Sequence, residues 1–316
     1  MKTLWRILVV SQTIRLMQAS ASFTADHGPF RVQSVKEIIL HDAKRGKDLP
    51  VRITFPDAPG PFPIVIFSHG AYGSKDAYLP LTEFWASHGY AVFQPTHADS
   101  IALGNRLGDK TVFQTWQTRP ADISFLLDSL GDIELKTPAL KGRLDARRVG
   151  VGGHSFGANT AQLVGGATAR VAGAEKSFED KRVSAVMLLS GQGPGEMLTE
   201  KSWANFTRPL FVMSGSKDGP TRTGQPAEWR KKPYELSPPG DKYLVWIEGL
   251  DHGYGGITGV SFSPRNKPNA DHIRWTKIAT LAFWDAHLKE SADAKAWLRS
   301  DGLTVLSGGK AKLERK

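Results

Sequence analysis

The sequence predicts an α/β domain, a mostly parallel central sheet with helices on both faces. Three observations carry that expectation. Short apolar runs rich in β-branched residues recur along the chain, each the length of a buried strand. Helix-length segments separate them from about residue 60 onward. Glycine and proline punctuate the junctions. Strands that alternate with helices form parallel sheets covered on both sides.

Taken in order, residues 35–40 and 49–55 read as an early antiparallel hairpin, and 56–63 as a proline- and glycine-rich turn. Residues 64–68 are a continuous apolar strand. Residues 79–88 are helical, with Gly89 as the terminator. A strand at 90–94 leads into a polar stretch, 98–117, with no clear period. An amphipathic helix follows at 121–131. Residues 148–152 form a strand that enters a glycine-rich turn, and 158–165 continue as a helix. Further strands fall at 183–189, 209–214 and 242–248, the last expected in the chain. Residues 275–288 are the closing helix. No internal repeat and no linker divides the chain.

Its 316 residues, 40% hydrophobic and 23% charged, suffice for one sizeable core. The absence of cysteine excludes disulfides, thiolate metal sites and a cysteine nucleophile. The net charge is +10, with its densest runs at 143–148, 230–232 and 310–316. None interleaves with aromatics as a nucleic-acid module would. The charge is therefore read as solubility, and no nucleic-acid partner is expected. The histidines are scattered without metal-ligand spacing, so no metal is expected. No P-loop occurs, and no G-x-G-x-x-G follows the first strand, so no cofactor is expected.

The domain is expected over residues 31–306. Residues 307–316 read as a disordered basic tail. Two readings of residues 1–30 stand. Lys2 and Arg6, the apolar run 7–10 and the small residues Ala19, Ala21 and Ala25 suit a signal peptide, whereas Gln12 and Arg15 interrupt it. Alternatively Met17 is the true start. Cytoplasmic and exported locations both stay open. No stretch is long and apolar enough to span a membrane. Nothing in the sequence sets an oligomeric state.

The segment Gly153-His154-Ser155-Phe156-Gly157 carries the chemistry. G-x-S-x-G between an apolar strand and a helix forms a sharp turn that exposes the serine hydroxyl. Flanking glycines allow the turn and helix to approach closely. A helix N-terminus favours a developing oxyanion. Ser155 is thus the candidate nucleophile. In this architecture the acid and the histidine follow in that order, each past a strand end. His252 meets the condition for the base. Asp218 meets it for the acid, with Glu196, one strand earlier, as the rival. Asp251 adjoins His252 too closely to curl back onto its ring. The backbone N–H groups of Ala71 and Phe156 are the expected oxyanion donors. His69 is expected to brace its loop. Tyr72, Trp116 and Tyr254 are the candidate substrate contacts, within a wider aromatic set that includes Tyr78, Phe113, Trp229, Tyr234 and Phe262.

These residues resemble a known group. Ser68-His69-Gly70 after a strand, Ala86-Ser87-His88-Gly89-Tyr90 before the next, and Arg119-Pro120-Ala121-Asp122 opening a helix are similar to one branch of the α/β-hydrolase fold. Gly153–Gly157 and Asp251-His252-Gly253 complete the likeness, which runs over about residues 35–290. That branch holds plasma-type platelet-activating-factor acetylhydrolases and dienelactone-hydrolase-like esterases. The resemblance implies a serine hydrolase acting on small-molecule carboxylic esters through an acyl-enzyme, without a cofactor. An acyltransferase or amidase on the same residues, or a silent binding protein, are the alternatives. Relatives place the acid after either of two strands, which keeps both Asp218 and Glu196 in play.

Overall fold

The computed structural model describes residues 23–219, 224–259 and 268–316. An antiparallel pair, β1 (Val32–Asp42) and β2 (Lys47–Pro56), opens the domain. Then come β3 (Phe62–Ser68), α1 (Leu79–Ser87) and β4 (Ala91–Pro95). The helices α2 (Arg119–Asp128) and α3 (Leu130–Lys136) precede β5 (Leu144–His154) and α4 (Phe156–Gly165). A small hairpin, β6 (Thr168–Val171) and β7 (Ala174–Ser177), stands apart from the main sheet. The second half runs β8 (Val183–Leu189), β9 (Leu210–Lys217), α5 (Lys232–Leu236) and β10 (Lys242–Asp251). It closes with α6 (Ala270–Leu288), α7 (Ala292–Leu298), α8 (Gly302–Leu306) and β11 (Ala311–Arg315).

The main sheet has nine strands in the order β1-β2-β4-β3-β5-β8-β9-β10-β11. The six from β4 to β10 are parallel, and antiparallel neighbours flank them at both ends. Alternation along each strand builds two cores. Val65 and Phe67 of β3, Met187 of β8 and Phe211 of β9 join one under α1 and α6. Ile64, Ile66, Leu188 and Val212 join the other, with residues of α2 and α4.

The glycines of β5 follow from this layering. Val149 and Val151 enter the second core, while Gly150 and Gly152 face α6. A Cβ on Gly150 would lie 2.6 Å from the ring of Trp284, which is wholly buried there. Two glycines thus let α6 seat a tryptophan directly over the central strand.

Three expectations are corrected. Residues 307–316 are not a disordered tail: β11 pairs antiparallel with β10, from Tyr243 opposite Arg315 to Ile247 opposite Ala311. Ala311 is buried and Leu313 packs against the first core, a period-two pattern hidden under the basic run. The strand at 242–248 is consequently not the last, and the helix ending at Leu288 is not the closing one. The stretch 98–117 carries two 3₁₀ segments, Ile101–Leu103 and Lys110–Gln117. At the other end, most of the possible signal peptide, residues 1–22, lies outside the described residues. Residues 23–30 already pack on the domain, with Phe30 N–H donating to Ser87 O at 3.1 Å and Phe23 against Trp297.

Candidate active site

Ser155 sits between the end of β5 and the start of α4, with φ 54° and ψ −116°. A non-glycine residue there costs on the order of 1–3 kcal/mol. The surroundings hold it: its N–H donates to Leu189 O at 2.9 Å. The flanking glycines are obligatory. A Cβ on Gly157 would come 1.9 Å from Ser68 O, and one on Gly153 would come 2.2 Å from Gly157 O. The turn therefore presses α4 against the end of β3. Every residue of α4 is buried, and Gln162 inside it accepts from Trp203 Nε1 at 3.1 Å.

Asp218 follows β9 and His252 follows β10. Neighbouring parallel strands bring the two together, Asp218 Oδ1 2.6 Å from His252 Nδ1. Asp218 is wholly buried. Its second oxygen accepts from Ser190 Oγ at 2.5 Å and Ser214 Oγ at 2.7 Å. Arg230 Nε lies 3.1 Å from Oδ1 and donates to the Asp218 carbonyl at 2.6 Å. Burial alone pushes this carboxyl upward, but the Arg230 and His252 charges and the hydrogen bonds outweigh it, so it is held well below the usual carboxylate range. An ionised Asp218 accepts from Nδ1–H and leaves His252 Nε2 as the acceptor. The His252 side chain is 39% exposed, so the ring is reachable from solvent. Glu196 is exposed on the loop after β8.

His252 meets the nucleophile turn through His154, their ring centroids 4.5 Å apart. His154 Nδ1 is 2.9 Å from the Tyr78 hydroxyl, which accepts the Gly70 N–H at 3.0 Å. Burial, helped by the nearby His252, lowers the His154 pKa well below the usual imidazole value, so its ring is neutral.

The turn after β3 begins where Ser68 and His69 meet Gly157 at the start of α4. Gly73 N–H donates to Gly70 O at 3.1 Å, and Tyr72 takes φ 65°. Gly70 N–H is taken by Tyr78 and Tyr72 N–H by Asp99 Oδ2 at 3.1 Å. The Ala71 N–H between them has no partner among the described residues. Phe156 opens α4, and the first amides of a helix lack intrahelical acceptors. His69 braces this turn: its Nε2 accepts from His97 N–H at 3.0 Å, and Nδ1–H donates to Gly70 O at 2.6 Å.

A second Ser–His–Asp array lies beneath. Ser68 Oγ is 2.9 Å from His97 Nε2, and His97 Nδ1 is 2.8 Å from Asp122 Oδ2. All three side chains are buried, so no substrate meets this serine. Burial, with the nearby Arg119 charge, lowers His97 to about 4, and it is neutral.

The aromatic candidates divide. Tyr72 is buried, its hydroxyl donating to Asp109 O at 2.8 Å and its ring edge-on to Phe113, which packs on Phe156. Trp116 turns its ring onto Phe178, beside the β6–β7 hairpin. Tyr254 does not line the site. It is 1% exposed, and its hydroxyl donates to Met213 O at 2.6 Å and accepts from Ser190 N–H at 2.8 Å, tying β8 to β9. Phe262 lies outside the described residues.

Sequence reasoning missed Arg230, Ser190, Asp99 and Arg119. Arg230 stands in a basic run read as solubility, yet it is only 4% exposed. Among the described residues no group of three or more His, Asp or Glu is placed to hold a metal ion. No described helix is long and apolar enough to cross a membrane.

Two comparisons bear on this arrangement. The Chlorophyllase family matches residues 20–172, just under half of the chain. The platelet-activating factor acetylhydrolase of Canis lupus familiaris is 23% identical over 282 residues, covering 75% of this chain. The chain spans 59% of that relative's length. The chain has the α/β-hydrolase fold, and its likeness runs to the chlorophyllase and platelet-activating-factor-acetylhydrolase branch of carboxylic ester hydrolases.

Proposed function

We propose that this protein is a serine esterase that cleaves small-molecule carboxylic esters through an acyl-enzyme. The observation that carries the reading is the Asp218–His252 pair, 2.6 Å apart, its acid buried and arginine-backed and its imidazole packed on His154, next to a serine held at φ 54° at a helix N-terminus. The names of the matching family, Chlorophyllase, and of the relative, an acetylhydrolase, point the same way.

In this reading Ser155 Oγ attacks the ester carbonyl carbon while His252 Nε2 takes its proton. Asp218 fixes the imidazole tautomer and stabilises the imidazolium. The carbonyl oxygen becomes an oxyanion, held by the Ala71 and Phe156 N–H groups. The tetrahedral intermediate collapses, and the alcohol leaves with the proton from His252. Water, deprotonated by His252, then attacks the acyl-Ser155 carbonyl. Carboxylic acid departs, and the proton returns to Ser155. Asp218 is favoured over Glu196 because it is buried and bonded to the ring. The stack of Tyr72, Phe113 and Phe156 joins the two segments that carry the oxyanion donors and supplies apolar surface there.

The test is hydrolysis of p-nitrophenyl esters of increasing acyl length, beside Ser155→Ala. Turnover that vanishes in the variant is the expected result. A folded protein that hydrolyses no ester and takes no fluorophosphonate label would overturn the proposal.

A further inference from the structure

We propose that Arg119 and Asp99 are positioning residues for the oxyanion site, a buried ion pair that fixes the Ala71 N–H and the Phe156 N–H in one frame. The proposal rests on the esterase reading above.

The pair is bidentate: Arg119 Nε to Asp99 Oδ1 at 2.9 Å and Nη2 to Oδ2 at 2.7 Å. Both side chains have 0% exposure. Replacing a buried pair by apolar residues is often neutral for stability, so its presence is weak evidence of a stabilising role. What it touches is more informative. The guanidinium stacks on the Phe156 ring, 4.3 Å from its centroid. The same group donates to His69 O at 2.8 Å and approaches Gly70 O at 3.4 Å. One planar cation thus contacts both segments that supply the oxyanion donors.

The Gly70 carbonyl belongs to the same peptide group as the Ala71 N–H. That carbonyl accepts from His69 Nδ1–H, Gly73 N–H and Arg119. Donors on a carbonyl polarise the amide and strengthen its N–H as a donor. They also hold the peptide plane, so the Ala71 N–H keeps its direction. Asp99 acts one peptide later. Tyr72 holds a left-handed φ of 65°, a turn position that glycine normally fills. Rotating the peptide between Ala71 and Tyr72 would relieve that strain but break the Tyr72 N–H bond to Asp99. Asp99 therefore pins the peptide that follows Ala71 and fixes that side of the turn, and Arg119 holds Asp99 in place.

The expected signature is a loss in the transition state with ground-state binding intact. Arg119→Lys keeps a cation but loses the fork and the stack. Asp99→Asn keeps the size but loses the charge that orients Arg119. Each should lower kcat by about 10–100-fold, less than the ~10²–10³ of deleting a donor outright. KM should stay within about twofold. Affinity for a trifluoromethyl ketone, which forms a tetrahedral oxyanion on the serine, should fall in step with kcat. The pH profile of kcat should not move. Thermal melts identify a variant that fails to fold, and Asp99→Asn, the milder change, then carries the test alone. A folded variant with unchanged kcat, or one whose kcat falls while ketone affinity does not, would overturn the proposal. A wild-type protein that takes no serine label would instead overturn the esterase reading beneath it, and the proposal with it.

Discussion

At the scale of single residues, Asp218 governs the site. A carboxylate with no solvent contact is tolerable only with a cation and full hydrogen bonding, and Arg230, Ser190, Ser214 and His252 supply both. Asp218→Asn should lower kcat about 10³–10⁴-fold by spoiling the imidazole tautomer, whereas Glu196→Gln should leave kcat within about twofold. The opposite ranking in steady-state kinetics would reassign the acid. Arg230→Met strands a buried charge and should cost about 3–5 kcal/mol in urea unfolding. A variant as stable as the parent would show that Arg230 is dispensable to the buried acid. Ser155, Asp218 and His252 were legible as positions because each follows an apolar strand. Arg230 was not, since Arg230-Lys231-Lys232 looks uniformly basic. Along the short 3₁₀ segment that carries it, Arg230 points inward, while Lys231 lies over the Trp246 ring.

At the scale of elements, the link between β5 and α4 is the most constrained. A side chain on Gly157 would part β3 from α4, and one on Gly153 would push into the first turn of α4. Gly157→Ala should abolish esterase activity and lower Tm by several degrees, read by calorimetry beside the activity assay. Unchanged activity would mean the turn is looser than described. The strands of the parallel sheet were legible because they are continuously apolar. The β6–β7 hairpin and β11 were not, being short and largely exposed, with a weak alternation. Deleting residues 308–316 should bare the edge of β10 and lower Tm, with aggregation on heating. A disordered tail would predict no change.

At the scale of the whole molecule, pH stability follows from what is buried. Burial pushes His69, His97 and His154 below the usual imidazole value, His97 to about 4. The unfolded chain protonates these rings near pH ~6.5, while the folded state resists. Stability should therefore be full above that pH and fall as pH drops from about 6.5 toward 4. The acids add a second loss. Burial raises Asp99, but Arg119 outweighs it and brings the carboxyl to about 2. Its contribution is present above the unfolded value of ~3.9 and disappears as pH falls through about 2. Urea midpoints measured across this range should decline below about pH 6.5, and a flat profile down to about pH 4 would contradict the buried neutral histidines.

The central claim, a nucleophilic Ser155 driven by His252 and Asp218, is tested most directly by mapping the covalent adduct of a fluorophosphonate. One adduct per chain is expected, on Ser155, absent in Ser155→Ala and formed far more slowly in His252→Ala and Asp218→Asn. Labelling of another residue, or undiminished labelling in both of the last two variants, would contradict it.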